Sequence, residues 1–360
     1  MDKLRFTMSA RQAGDPRVEP LHFLRQYERT RPAGAFDARN AAQWFRWRFL
    51  LREALAKKIS LSRIPEGTRR VVEGPVETCR GYTRHGLLIE TGRDLWVPAF
   101  LLVPSGSDEP RPAILCCHGH GQGMNELVGL TETGRPRRIG TGYQHDFAVQ
   151  AVRAGFVTLA YDQMGFGRRR DFAFMRKFRV AGGCEQPSKY AMHFGLTMTG
   201  LRVWDACRLV DFLRTHARVD PERIGIAGIS GGGLVAQFAA GLDDGIRAAC
   251  VSGYCNRYAD SILAIHHCID NFMPDLGSLA DNDDVACLIA PRPLLIQAGT
   301  KDPLFPIAAT RAAVAKLRRC YALAGRRDGL AVDLFEGGHE FRGRQVWPFF
   351  ARHLGLPSGK

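Results

Sequence analysis

Short, uninterrupted apolar runs alternate through most of this chain with stretches whose apolar positions recur three and four residues apart. The runs at 113–117, 156–161, 223–229 and 293–298 predict buried strands, and 247–252 and 331–335 predict two more strands. Between them, helical spacing predicts a helix over about 143–154. It predicts another where Val203, Cys207, Val210 and Leu213 share a face beside Trp204, and a third through Leu234, Val235, Phe238, Ala239 and Leu242. Two more are expected at 308–323 and 347–354. The region 71–104 differs, because its period is two and Gly and charged residues interrupt it; that predicts two or three antiparallel strands at a sheet edge. Residues 21 to about 65 read as helical, with Leu50, Leu51, Ala54, Leu55 and Ile59 as an apolar stripe. Arg46, Arg48, Arg52, Lys57 and Lys58 can face water, and Trp44, Phe45, Trp47 and Phe49 crowd the same stretch.

Strands alternating with helices after an antiparallel start imply an α/β fold, a mostly parallel central sheet with helices on both faces. No internal repeat, low-complexity tract or linker divides the chain. The expected organisation is an N-terminal helical extension over 1–70, packed on the core, and one main domain over 71–360 with insertions at about 166–195 and 256–286. A partner-binding amphipathic helix is the alternative reading of the extension.

Composition narrows the class. A chain of 360 residues can bury about three quarters of its unfolded surface, and 45% hydrophobic with 24% charged residues is ordinary for a globular protein. The formal net charge of +14 invites a nucleic-acid partner, but the arginines are scattered and no nucleic-acid-binding signature accompanies them. The densest run, Arg168-Arg169-Arg170 followed by Arg176, Lys177 and Arg179, reads as a solvated face, with attraction of an acidic substrate as the second reading. Ten cysteines in a chain this long are not a disulfide framework. Cys116 and Cys117 adjoin in a strand, where neighbours point to opposite faces, and read as small core residues. No CxxC pair or recurring Cys/His spacing suggests zinc, and His266-His267-Cys268 is the nearest thing to a ligand cluster, so no metal is expected. Met1 to Pro20 is polar, and no eighteen residues run uninterrupted and apolar. The expectation is a cytoplasmic protein with no membrane or nucleic-acid partner and an open oligomeric state.

The chemistry gathers around residues 223–233, where an apolar run enters Gly228-Ile229-Ser230-Gly231-Gly232 and a helical pattern leaves it. Strand, sharp turn and helix expose the hydroxyl of Ser230 on a strained backbone, which marks it as a nucleophile. A serine hydroxyl needs a base to take its proton, and the base needs a third group to orient it. The strand ending at Ala298 is followed by Gly299-Thr300-Lys301-Asp302, and the last strand by Gly337-Gly338-His339. Both groups stand at the carboxyl ends of strands, where open α/β sheets place their sites. Asp302 competes with a helix-capping role and with Asp260, Asp281, Asp283 and Asp284 as the acid; His339 competes with His266 and His267 as the base. Strand-end placement favours Asp302 and His339. Charge developing on a carbonyl oxygen calls for two main-chain donors, here the N–H groups of Gly231 and His120, with His118 anchoring the turn.

His118-Gly119-His120-Gly121, Tyr161-Asp162-Gln163-Met164-Gly165-Phe166-Gly167, the Ser230 elbow, Ile289-Ala290-Pro291-Arg292-Pro293-Leu294-Leu295-Ile296 with Asp302, and Gly337-Gly338-His339-Glu340-Phe341 occur in this order. Together they resemble the α/β-hydrolase superfamily, and within it the acetyl xylan esterase and dienelactone hydrolase-like branch, over about 71–356. The resemblance implies the α/β-hydrolase fold, a Ser230–His339–Asp302 triad with His120 and Gly231 as oxyanion donors, and hydrolysis of short-acyl esters of a small molecule or carbohydrate with no cofactor. Serine at the elbow, where dienelactone hydrolases carry cysteine, makes the esterase side closer. The same triad would also serve a peptidase or a hydrolase of C–C or C–N bonds, and a non-catalytic binding protein on this fold is the reading from another class.

Overall fold

The period-two region forms β1 (Val71–Cys79), β2 (Tyr82–Gly92) and β3 (Leu95–Pro104), joined antiparallel in sequence order. The short apolar runs form β4 (Arg111–Cys117), β5 (Val157–Tyr161), β6 (Val219–Ile229), β7 (Ala248–Ser252), β8 (Leu294–Gly299) and β9 (Leu330–Phe335). The computed structural model describes residues 19–106, 108–180 and 182–356. All nine strands make one sheet in the order β1-β2-β3-β5-β4-β6-β7-β8-β9. The β3–β5 pairing is antiparallel and every pairing beyond it is parallel, so six successive strands, β5, β4 and β6 to β9, deliver their carboxyl ends to one edge.

Side-chain alternation builds two cores from each parallel strand. On β4, Ala113, Leu115 and Cys117 face the helices Met198–Thr215, Gly231–Leu242 and Ile307–Leu323. Ile114 and Cys116 face the helices Phe147–Arg153 and Gly343–Leu354. Both cysteines are fully buried, one in each core, as their adjacency predicts. Among the described residues no helix is long and apolar enough to cross a membrane.

Three expectations change in detail. Within 21–65 the only long helix is Ala41–Lys58, and it buries Trp44, Leu51 and Leu55 while Phe45, Phe49 and Leu50 stay more than half exposed. Neighbours on a helix point about 100° apart, so Leu50 cannot share the inward face with Leu51. Arg48 and Arg52, expected in water, instead bind Asp244 and the carbonyls of Leu288 and Leu242, which tie this helix to the sheet domain. The insertion at 166–195, for which no element was expected, is partly helical: Phe172–Phe178, capped by Asp171, and Glu185–His193 are helices, each too short for a clear periodic signal.

The basic run divides: Arg176, Lys177 and Arg179 are exposed, as a solvated face would be, but Arg168, Arg169 and Arg170 are each paired with a carboxylate. Arg168 reaches Asp162 and Asn125, and Arg170 reaches Glu132 and the Gly121 carbonyl. Arg169 is buried against Asp205 at 2.6 Å. Arg169 and Arg170 find carboxylates 36 and 38 residues away in sequence, which local charge density cannot reveal.

Candidate active site

Ser230 sits between β6 and the helix Gly231–Leu242 at φ +57° and ψ −126°, a conformation that costs a non-glycine residue about 1–3 kcal/mol. The surroundings hold it there. Its N–H donates to the Ser252 carbonyl at 3.0 Å, and its own carbonyl accepts from Leu234 N–H at 3.0 Å. A Cβ on Gly232 would overlap the Cys117 carbonyl, so only glycine lets the helix come this close to β4. Ser230 is 5% exposed and directly follows the carboxyl end of β6.

Asp302 and His339 stand together at the same edge. His339 Nδ1 donates to Asp302 Oδ2 at 2.7 Å, while Asp302 Oδ1 accepts the N–H groups of Leu304 at 2.8 Å and Phe305 at 3.1 Å. Asp302 therefore caps a turn and orients an imidazole with its two oxygens, so its two sequence readings are compatible. The rival acids are engaged elsewhere: Asp281 caps the helix Asn282–Cys287, Asp283 and Asp284 hold Lys316, and Asp260 pairs with Arg257. Tyr143 and Phe305 lie nearly parallel to the His339 ring, at 5.5 and 5.6 Å between centroids. Gly253 follows Ser252, the residue that binds Ser230, and a Cβ there would lie 3.0 Å from His339 Cε1. That contact, with φ +52° at Gly253, brings the imidazole against the elbow. His339 Nε2 is buried and bonds no described residue, Ser230 included.

The loop after β4 faces the elbow from the other side. His118 is fully buried between two bonds, Nδ1–H to the Gly119 carbonyl at 2.7 Å and Nε2 accepting Gln163 N–H at 3.0 Å. Burial lowers its pKa to about 4, so it is a neutral anchor for the turn. The His120 carbonyl accepts from Tyr143 Oη at 2.7 Å, and its ring lies over Gly231, with Nδ1 3.0 Å from where a Cβ on Gly231 would be. Among the described residues neither the His120 nor the Gly231 main-chain N–H donates to another group.

A cavity of about 630 Å³ opens beside this point, lined by His120, Phe166, Arg170, Gly183, His267 and Cys268 among others. His266 and His267, rivals for the base, line it and do not meet an acid as His339 does. Sequence reasoning missed Tyr143, Phe305 and Gln297. Gln297 Nε2 donates to the Arg342 carbonyl at 2.6 Å and its Oε1 accepts Arg342 N–H at 2.9 Å, clamping the segment that carries His339 to β8. A polar residue inside a buried strand was the available signal.

It also missed Arg202, fully buried, whose guanidinium donates to Asp270 Oδ2 at 2.7 Å. Burial raises the Asp270 pKa, but the charges of Arg202 and His120 overcome it and hold the carboxyl well below the usual range. Burial likewise opposes the charged form of His120, and Asp270 outweighs it, raising the His120 pKa. His120 Nε2, Cys184 Sγ, Cys268 Sγ and an Asp270 oxygen lie within 4.8 Å of one another, a group able to hold a metal ion. No metal was expected from the sequence, because three distant segments supply these atoms and only Cys268 belonged to the His/Cys triplet noted there.

Residues 23–317 match the abhydrolase family. The chain belongs to that family. YtaP of Bacillus subtilis (strain 168), a provisionally named hydrolase, is 30% identical over 280 residues, which is 73% of this chain and 86% of YtaP. Solved structures share the fold at lower identity. A Bacteroides fragilis protein provisionally named an acetyl xylan esterase superposes with a TM-score of 0.76 at 18% identity, over 91% of this abhydrolase and 84% of its own chain. A glucuronoyl esterase from Solibacter usitatus gives 0.63 at 17%, over 90% and 97%. Acetyl xylan esterase 1 from Thermoanaerobacterium sp. JW/SL YS485 gives 0.56 at 17%, over 94% and 99%. The α/β-hydrolase fold expected from the motifs is thus the fold of this chain.

Proposed function

We propose that this abhydrolase is a serine esterase that cleaves short-acyl carboxylic esters of a small molecule or carbohydrate through Ser230, His339 and Asp302. The observation that carries the reading is the 2.7 Å Asp302–His339 bond beside a serine held at positive φ. Asp302 takes the Nδ1 proton and leaves Nε2 as the basic nitrogen. The reading requires the Ser230 hydroxyl to reach the unpartnered Nε2 when substrate binds, in keeping with sites whose bonds tighten only in the complex. The serine oxygen attacks the ester carbonyl, its proton passes to Nε2, and the oxyanion accepts from His120 and Gly231, whose N–H groups are otherwise free. The imidazolium then protonates the departing alcohol, and a water activated by the same nitrogen releases the acid.

The cavity of about 630 Å³ beside His120 is large enough for a sugar-sized alcohol. The proteins of like fold named as acetyl xylan and glucuronoyl esterases support this choice of bond. The test is hydrolysis of 4-nitrophenyl acetate, acetylated xylose and a uronic-acid methyl ester by the wild type and Ser230→Ala. Turnover of at least one ester, lost in Ser230→Ala, is expected; inactivity on all esters with cleavage of an anilide would shift the assignment to amide chemistry.

A further inference from the structure

The group at the cavity wall is not used by ester hydrolysis. His120 comes from the loop after β4, Cys184 from the start of the helix Glu185–His193, and Cys268 and Asp270 from the connection between β7 and β8. Asp270 and Cys184 are 1% and 3% exposed. His120 Nε2 is 3.2 Å from Asp270 Oδ2, at ion-pair distance but off the line of a hydrogen bond, and is a buried nitrogen without a bonding partner. Two sulfurs, one imidazole nitrogen and one carboxylate oxygen thus converge from three segments.

We propose that His120 Nε2, Cys184 Sγ, Cys268 Sγ and Asp270 form a binding site for one thiophilic divalent cation, of which Zn²⁺ is the physiological example. Four ligands of these types are the number and chemistry that Zn²⁺ takes. A tetrahedron with bonds of about 2.0–2.3 Å has edges of about 3.3–3.8 Å. No separation here exceeds 4.8 Å, so closing the site moves ligand atoms by no more than about 1 Å. Two sulfurs select against Mg²⁺ and Ca²⁺, which require oxygen.

Arg202 fits the site rather than opposing it. Its guanidinium donates to Asp270 Oδ2 at 2.7 Å and to Cys184 Sγ at 3.3 Å, a natural outer partner for a ligating thiolate. With His120 neutral, the metal-free group carries one negative charge on Asp270, one positive on Arg202 and two neutral thiols. The loaded group carries three negative charges on Asp270 and the thiolates, balanced by Arg202 and a divalent ion. Two S–H bonds break, two metal–sulfur bonds form, two protons leave, and the formal charge of the buried group stays zero. Without Arg202 the loaded site would hold an uncompensated negative charge.

Occupancy would clip together three segments that wall the cavity, including the loop whose His120 N–H faces the elbow. Metal binding needs neither Ser230 nor an ester, so it stands or falls apart from the esterase reading. The experiment uses the full chain, reduced and stripped with a chelator, titrated with Cd²⁺ and with Zn²⁺ and weighed for bound metal after gel filtration. Expected are one equivalent of either ion, a thiolate-to-metal charge-transfer band with Cd²⁺, release of at least two protons per ion in weak buffer, and a raised Tm. Cys268→Ser, at a partly exposed position that tolerates the change, loses the band and binds at least tenfold more weakly, as does Cys184→Ser. No charge-transfer band, stoichiometry far below one, or equal uptake by the Cys184→Ser/Cys268→Ser double variant overturns the proposal. A Cys184–Cys268 disulfide in protein handled in air, with no uptake after its reduction, overturns it as well.

Discussion

Replacing Asp302 by asparagine separates what its two oxygens do. The amide oxygen can still accept the N–H groups of Leu304 and Phe305, but then the amide nitrogen replaces Oδ2 opposite His339 Nδ1, where the wild type has a 2.7 Å bond. An NH₂ group cannot accept, so Nδ1 must accept and the ring proton moves to Nε2. A protonated Nε2 in a neutral ring cannot take the serine proton. The equivalent change in Ser-His-Asp proteases lowers kcat about 10⁴-fold, about 5 kcal/mol of barrier, and a loss of that size is expected here. Stability should hardly move, because both turn bonds survive. Asp302→Ala instead strips the two N–H groups of their acceptor and costs about 2–5 kcal/mol on top of the activity loss. The assay is kcat/KM on 4-nitrophenyl acetate with thermal melts of both variants. If Asp302→Asn keeps more than a tenth of wild-type activity, the carboxylate is not orienting His339; if it melts as low as Asp302→Ala, the turn has been misassigned.

Three further changes probe other parts of the account. Gly253→Ala puts a methyl 3.0 Å from His339 Cε1 at φ +52°, so it should lower kcat at least tenfold and stability by about 1–2 kcal/mol; wild-type kinetics would show that the ring is not held against this turn. Arg169→Met leaves the buried Asp205 without its cation at 2.6 Å and should lower unfolding free energy by about 3–5 kcal/mol in urea titrations, whereas a change below 1 kcal/mol would return Arg169 to a surface role. Bonds from Thr68 and then Arg70 hold the Glu90 carboxyl at about 2, below its usual 4.5. The folded chain thus binds this proton more weakly than the unfolded one, so the stabilisation is full above pH 4.5 and is lost as pH falls toward 2. Glu90→Gln should flatten the wild-type fall in urea midpoint between pH 5 and pH 3, and an unchanged slope would assign the fall to other groups.

The sheet was legible because strands buried on both faces leave uninterrupted apolar runs, and the elbow because close strand–helix contact permits only glycine at Gly228 and Gly232. Asp302 and His339 could be nominated because each closely follows the end of an expected strand. Their 2.7 Å pairing could not be read, since it depends on how the ends of β8 and β9 lie side by side. The least legible parts are those in which remote segments complete one another. Arg169 looked like surface charge until Asp205 supplied its partner, and nothing marked Cys184 until the connection after β7 brought Cys268 and Asp270 beside it. Leu50 was misplaced for a simpler reason, a stripe drawn one position too wide on a helix whose Leu51, Leu55 and arginines, but not Leu50, reach the sheet domain.

The central claim is that the hydroxyl at the elbow becomes nucleophilic through the imidazole beside it. Reaction with a fluorophosphonate, followed by digestion and mass mapping of the adduct, tests it most directly. One phosphonyl group on Ser230 is predicted, with labelling abolished in Ser230→Ala and slowed by orders of magnitude in His339→Gln. An unlabelled wild type, or a label that His339→Gln acquires at the wild-type rate, would contradict the account.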